Sequence, residues 1–135
     1  MRKLATAVVA AGLFFGGMGV AVADSWHGLT MTTTGAEFKG SYMWEPQLQK
    51  HGGLRAQGNL KDTSNGDGHN VYLRARVKGH PWMRIKGVQR KAIPIDYTFY
   101  DGAQLLTNQV ELQTCRDRGS LRPDNCSANK VFTRR

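Results

Sequence analysis

The strongest constraint on the fold is a repeated alternation of apolar and polar residues with a period of two. Ala36, Phe38, Gly40, Tyr42 and Trp44 alternate with Glu37, Lys39, Ser41, Met43 and Glu45. Val71, Leu73, Ala75 and Val77 alternate with Tyr72, Arg74, Arg76 and Lys78, and Ile95, Tyr97 and Phe99 alternate with Asp96, Thr98 and Tyr100. In an extended chain successive side chains point to opposite faces, so each run predicts a strand with one face buried and one towards water. Leu54–Leu60 and Val110–Thr114 repeat the pattern more weakly, and Leu29–Thr34, Trp82–Val88 and Asn129–Thr133 complete a set of seven or eight short strands. After the first segment, no comparable stretch has the spacing of an amphipathic helix.

Turn chemistry separates these runs. Asp62 to Gly68 contains both Asn-Gly and Asp-Gly, which tolerate positive φ. Gly79-His80-Pro81 breaks the chain after the arginine-bearing strand, Pro46 ends the second strand, and Asp101-Gly102 reads as a two-residue link to the next strand. Many short strands with frequent turns predict an all-β fold, an antiparallel sandwich, immunoglobulin-like or related. A closed barrel is the other all-β solution, but no feature specifies the stagger it requires.

The first 23 residues read differently. Arg2 and Lys3 precede an uncharged run from Leu4 to Val22, and Ala21-Val22-Ala23 supplies small residues just before Asp24. That order is the layout of a secretory signal peptide with cleavage after Ala23, leaving 24–135 as a single domain. A retained membrane anchor is the competing reading, because the run is long enough to span a bilayer. Its many glycines and alanines make it weakly apolar, and no later segment looks membrane-spanning. The prediction is a secreted, extracellular protein. The full chain carries 19 basic and 10 acidic residues; export removes two of the basic ones and leaves an excess of seven.

Only two cysteines occur, Cys115 and Cys126, both in the exported part. In an oxidising compartment an isolated pair predicts one disulfide, closing the loop from Arg116 to Asn125. Chain-entropy arguments assign a loop of that size about 3 kcal/mol.

The order Gly58-Asn59-Leu60-Lys61-Asp62-Thr63, then Val71-Tyr72, then Cys115-Arg116-Asp117-Arg118-Gly119 and Cys126-Ser127 resembles small secreted β-domain proteins of actinobacteria. The resemblance covers residues 54–133 and consists of turns and the cysteine pair. It implies export, a compact β domain and one disulfide, and it carries no catalytic residue onto this chain.

Chemistry-bearing motifs are sparse. The Asp62 loop has part of the look of an EF-hand, but Arg74 stands where the pattern needs a closing glutamate, so a hairpin turn is the better reading. His27, His51, His69 and His80 fall in loops without metal-ligand spacing, and no cofactor motif is present. A small basic nuclease would need histidine and carboxylate with arginine for the phosphate. His69, His80 and Glu111 with Arg74 and Arg76 are the residues to nominate. Glu37 and Glu45 share a strand face, but stand too far apart for glycoside cleavage.

The most informative surface is the outward face of one strand, Tyr72, Arg74, Arg76 and Lys78, with Trp82 nearby and Lys86, Arg90 and Lys91 following. Such a face attracts anionic cell-surface polymers, with nucleic acid in the same class of polyanion, and an aromatic adds stacking. The plainer reading is a solvated face that keeps a secreted protein soluble. A second basic cluster, Arg116, Arg118 and Arg122 with Arg134-Arg135, surrounds the disulfide loop. A preformed loop there also suits recognition of, or inhibition of, another extracellular protein. Non-catalytic binding through the Tyr72 face is the leading expectation, with a small hydrolase as the alternative.

Overall fold

The structure is a computed structural model describing residues 24–64 and 68–135, so the segment 1–23, read above as a signal peptide, and residues 65–67 lie outside the described residues. Among the described residues there are nine strands: β1 His27–Thr33, β2 Ala36–Trp44, β3 Leu54–Asp62, β4 Val71–Val77, β5 Met83–Lys86, β6 Ala92–Phe99, β7 Gln109–Arg116, β8 Asn125–Cys126 and β9 Lys130–Thr133. The alternating runs therefore became strands almost where the side-chain pattern placed them. The extra strand is β8, two residues long, which the alternation rule cannot register because it needs several residues to show a period.

All pairing is antiparallel. Sheet A has the order β1-β2-β3-β6, and sheet B has β5-β4-β7-β8, with β9 also paired to β7. β1 and β2 pack across from β7, and β3 across from β4, giving a two-layer, sandwich-like arrangement. The first three strands follow one another as a meander, whereas an immunoglobulin constant domain pairs its second strand with its fifth. Sandwich architecture is what the two layouts share. Pro94 is accommodated because β6 is an edge strand that pairs with β3 alone.

Most of the core is the inward set that the period of two selected, although Tyr97 from that set is exposed, and Met43 and Tyr72 from the outward set are buried. Leu29, Met31, Phe38, Leu54, Leu60, Ile95 and Phe99 come from sheet A, and Val71, Leu73, Val77, Val110 and Leu112 from sheet B. Near the middle of sheet A, Gly40 pairs with Gly58. A Cβ on Gly40 would fall on the Gln57 carbonyl oxygen, and one on Gly58 would come within 2.5 Å of the Lys39 carbonyl oxygen. Only glycine permits the two backbones to run so close there.

Two local expectations are corrected. Asp101-Gly102 is not a tight hairpin: the chain leaves sheet A at Phe99 and reaches sheet B only at Gln109. A crossing between layers needs a longer connection, and the Asp101 side chain serves instead to accept the Ala103 amide inside it. Nor does a hairpin follow Asp62, since β3 lies in sheet A and β4 in sheet B; the buried Asp62 carboxylate organises the backbone, accepting the Ser64 amide through Oδ1 and the Arg90 amide through Oδ2, each at 3.0 Å. Cys115 and Cys126 are joined as a disulfide and stand opposite one another in the β7–β8 pair. Among the described residues no helix is long and apolar enough to cross a membrane.

Candidate functional site

The outer face of sheet B carries the nominated basic cluster. Strand β4 sends Tyr72, Arg74 and Arg76 outward because its alternate residues Leu73, Ala75 and Val77 fill the core. Antiparallel pairing sets Arg84 of β5 opposite Arg74, and Glu111 of β7 opposite Arg76. Trp82, just before β5, then lies against the ladder: the Arg74 guanidinium is 4.2 Å and the Arg76 guanidinium 4.7 Å from its ring centre. Arg84 repeats the motif over Tyr72 at 4.2 Å. Stacking on the ring quadrupole holds each guanidinium plane, and so aims its N–H fork, at small entropic cost.

Two carboxylates are built into the face. Arg76 donates Nε–H and Nη2–H to Glu111, both at 3.0 Å, and Asn129 donates to the same carboxylate at 2.6 Å. The Asn129 hydrogen bond and Arg76 hold the Glu111 carboxyl below its usual value against the opposing effect of burial. Asp124 reaches in from the disulfide loop, accepting the Tyr72 hydroxyl at 2.5 Å and the Arg118 amide at 3.2 Å, with Arg84 4.0 Å away. Burial alone would raise the Asp124 carboxyl, but the Tyr72 hydrogen bond, the Arg118 amide and the nearby arginines outweigh it and leave it lowered. Burial and the bond to Asp124 push the Tyr72 phenol up to about 12. Arg74 donates Nε–H to Gln113 at 2.8 Å and forms no ion pair among the described residues.

Tyr72, Arg74, Arg76 and Trp82 are thus brought together, but Tyr72 is buried beneath Arg84 and Asp124 and supports the face rather than presenting its ring to a ligand. Lys78 is not part of the ladder, because β4 ends at Val77; it lies beyond, in a hollow of about 260 Å³ with Asp101, Gln104 and Gln109. Lys86 joins the face opposite Tyr72, whereas Arg90 and Lys91 turn back towards sheet A, with the Lys91 carbonyl accepting the Asp62 amide. Arg134 belongs with neither basic cluster: Gln109 pairs with Thr133 while the disulfide closes the far end of β7. Arg84 was not nominated from the sequence. Its signal was present, since Trp82, Arg84 and Lys86 alternate on one side of a short strand.

The nominated catalytic residues do not converge. His69 precedes β4 and His80 follows it, so a seven-residue strand of about 20 Å separates them. His80 has a carboxylate partner, but it is Asp101 at 3.0 Å rather than Glu111. The Ala103 amide and His80 hold the Asp101 carboxyl below its usual value. Glu37 pairs across to Lys61 near the start of β2, while Glu45 lies past its end, beside Arg55 at 4.0 Å.

An open groove of about 800 Å³ was not anticipated. It lies where the inner faces part at one end of the layers. Tyr42 of β2 and Phe132 of β9 meet at 4.6 Å, His27 packs 5.2 Å from Tyr42, and Arg134 lies 5.3 Å over Trp44 while donating to the Glu45 carbonyl at 2.8 Å. No pattern in a single run could show a groove whose walls are about ninety residues apart in the chain. No family model, curated protein or solved structure matches the chain.

Proposed function

We propose that this protein is an exported, non-catalytic binding module that engages anionic polymers of the cell exterior through the outer face of sheet B. The observation that carries this reading is the arginine–aromatic ladder, Arg74 and Arg76 on Trp82 and Arg84 on Tyr72. Three guanidinium planes share only two carboxylates, Glu111 and Asp124, so the face keeps positive charge after its internal pairing. Planar forks fixed on rings suit phosphate, sulfate and carboxylate groups, which accept paired N–H bonds. A disulfide supports an oxidising destination, and the order of charge, apolar run and small residues in 1–23 supports export by a cleaved signal.

The test is titration of the protein with poly(glycerol phosphate) at rising salt. The expected affinity falls steeply with salt and drops about tenfold in Arg74→Glu, with a comparable loss in Trp82→Ala. Arg76 is left in place because its removal would strand the Glu111 carboxylate. No binding at low salt, or unaltered binding in both variants, rejects the reading.

A hydrolase is the second reading, favoured by one observation: His80 stands 3.0 Å from Asp101 beside Lys78. An imidazole oriented by a carboxylate can move protons, and the lysine could hold a phosphate. RNA turnover that disappears in His80→Ala would establish it, and absence of turnover removes it.

A further inference from the structure

We propose that the end of the layers formed by the 45–53 and 100–108 connections docks on an anionic lipid surface, inserting Leu48 and Leu105. Both leucines are almost bare, at 98% and 81% exposure, whereas the leucines on strands are buried; Leu121, at 96%, is bare too but lies apart, in the disulfide loop. The two connections are joined into one platform. The Thr107 amide donates to the His51 carbonyl at 2.7 Å, His51 Nδ1 lies 2.7 Å from the Gln104 carbonyl, and the His51 and Tyr100 rings stack at 5.7 Å.

The platform is held in a costly conformation. Lys50, His51 and Gly52 have φ of 48°, 51° and 64°, the left-handed region that lysine and histidine avoid. Consecutive strained residues persist only where their surroundings over-determine them, and here they keep the Gln47–Lys50 turn out in solvent. The apolar tips are therefore displayed rather than folded back on the sheets.

Charge at this end selects the occupant. Lys50, Lys78, Arg134 and Arg135 are set around the two connections, and the acids are Asp24, Glu45 and Asp101, with Asp24 accepting the Trp44 amide at 3.4 Å and standing 3.3 Å from His27. Glu45 faces Arg55, and Asp101 is paired with His80, with side chains only 10% and 13% exposed. Unpaired cations beside projecting leucines complement anionic headgroups over hydrocarbon. A protein partner needs a broad matching surface of about 800 Å² per side, which two separate tips do not offer. A bilayer needs no matching shape. In this pose the strands stand on the membrane, and the ladder on sheet B faces sideways and remains accessible to a polymer.

The experiment is sedimentation of the protein with vesicles of phosphatidylcholine alone or with about a third phosphatidylglycerol, a ratio chosen to give a clear surface potential. Partitioning is expected to be at least about tenfold stronger on the anionic vesicles, and to fall about tenfold or more in Leu48→Ser/Leu105→Ser. Both changes are on exposed tips, so the fold and the binding of poly(glycerol phosphate) are expected to stay intact. In Leu105→Trp, brominated acyl chains are expected to quench the new fluorophore. Arg74→Glu serves as the reciprocal control, weakening polymer binding but leaving that quenching in place. Unaltered vesicle binding in the serine variant, or no quenching of Trp at 105, overturns the proposal. So does concentration-dependent dimerisation that the serine variant abolishes, since the leucines would then be covered by a second copy.

Discussion

The outer faces of the two sheets use the same ingredients and reach opposite electrostatic results. On sheet A, Arg55 donates Nε–H and Nη2–H to Asp96, each at 2.8 Å, and lies 4.0 Å from Glu45, with Trp26 under it at 5.5 Å. One cation meets two acids, and the direct hydrogen bond to Arg55 lowers the Asp96 carboxyl. On sheet B, three arginines are spread over two rings and two carboxylates. Arginine, aromatic and carboxylate therefore do not by themselves make an anion-binding face. The ratio of guanidinium groups to internal partners decides whether charge remains for a ligand.

The comparison is broken most forcefully by attacking what holds each sheet. Gly40→Ala is expected to destabilise the protein by about 3 kcal/mol or more, because the added methyl meets the neighbouring backbone, which cannot rotate away. Replacing both Cys115 and Cys126 by alanine is expected to cost about 3 kcal/mol on sheet B. Urea unfolding measures both; a loss below about 1 kcal/mol in either would show that the sheet does not depend on that feature.

Tyr72 gives the next largest effect. Its phenol titrates near 12 in the folded chain against 10.0 ordinarily, so the folded state holds this proton more tightly. The resulting stability, about 3 kcal/mol, is present in full below pH 10 and is lost as pH rises towards 12. A tyrosinate absorbance step near pH 12 that vanishes in Tyr72→Phe is the expected signature.

Exchanging the two faces in a binding assay sharpens the contrast. Arg74→Gln is expected to weaken poly(glycerol phosphate) binding about fivefold, and Arg55→Gln less than about twofold, since Arg55 is already satisfied by Asp96. Equal losses would contradict the distinction drawn between the faces. A smaller effect is expected inside sheet B. The buried Thr114 hydroxyl has no hydrogen-bond partner among the described residues, so Thr114→Val should raise stability by about 1 kcal/mol in the same urea experiment.

Much of the fold was legible because strand burial leaves a local trace. The alternation at 36–44 and 71–77 identified the strands and most of their inward residues, although Met43 and Tyr72, in the outward phase, are covered by other parts of the fold. The cysteine pair was legible for a different reason: two thiols admit a single intramolecular bond. Part of the candidate face followed, because Tyr72, Arg74 and Arg76 occupy the outward positions of a strand whose other face is apolar. The Asp101 connection was misread because the same dipeptide serves a tight hairpin or the start of a longer crossing. Only the layer to which the next strand belongs distinguishes the two.

Strand identity, the inward side of each strand and the disulfide were thus dictated by the order of residues, since each depends on neighbours in the chain or on a unique pair. Strand order was not, because antiparallel pairing is satisfied by many permutations, and the β1-β2-β3-β6 sheet is selected by the packing of two whole layers. Partnerships between distant residues depend on that selection. Asp124 meets Tyr72 from 52 residues away, Arg134 reaches Glu45 from 89 residues away, and Arg84 joins the ladder through its pairing with Arg74. These contacts determine how much charge is neutralised, where a groove opens and which leucines stay bare. The chain specifies that a basic face exists, and the assembled layers set how much of its charge is left for a ligand.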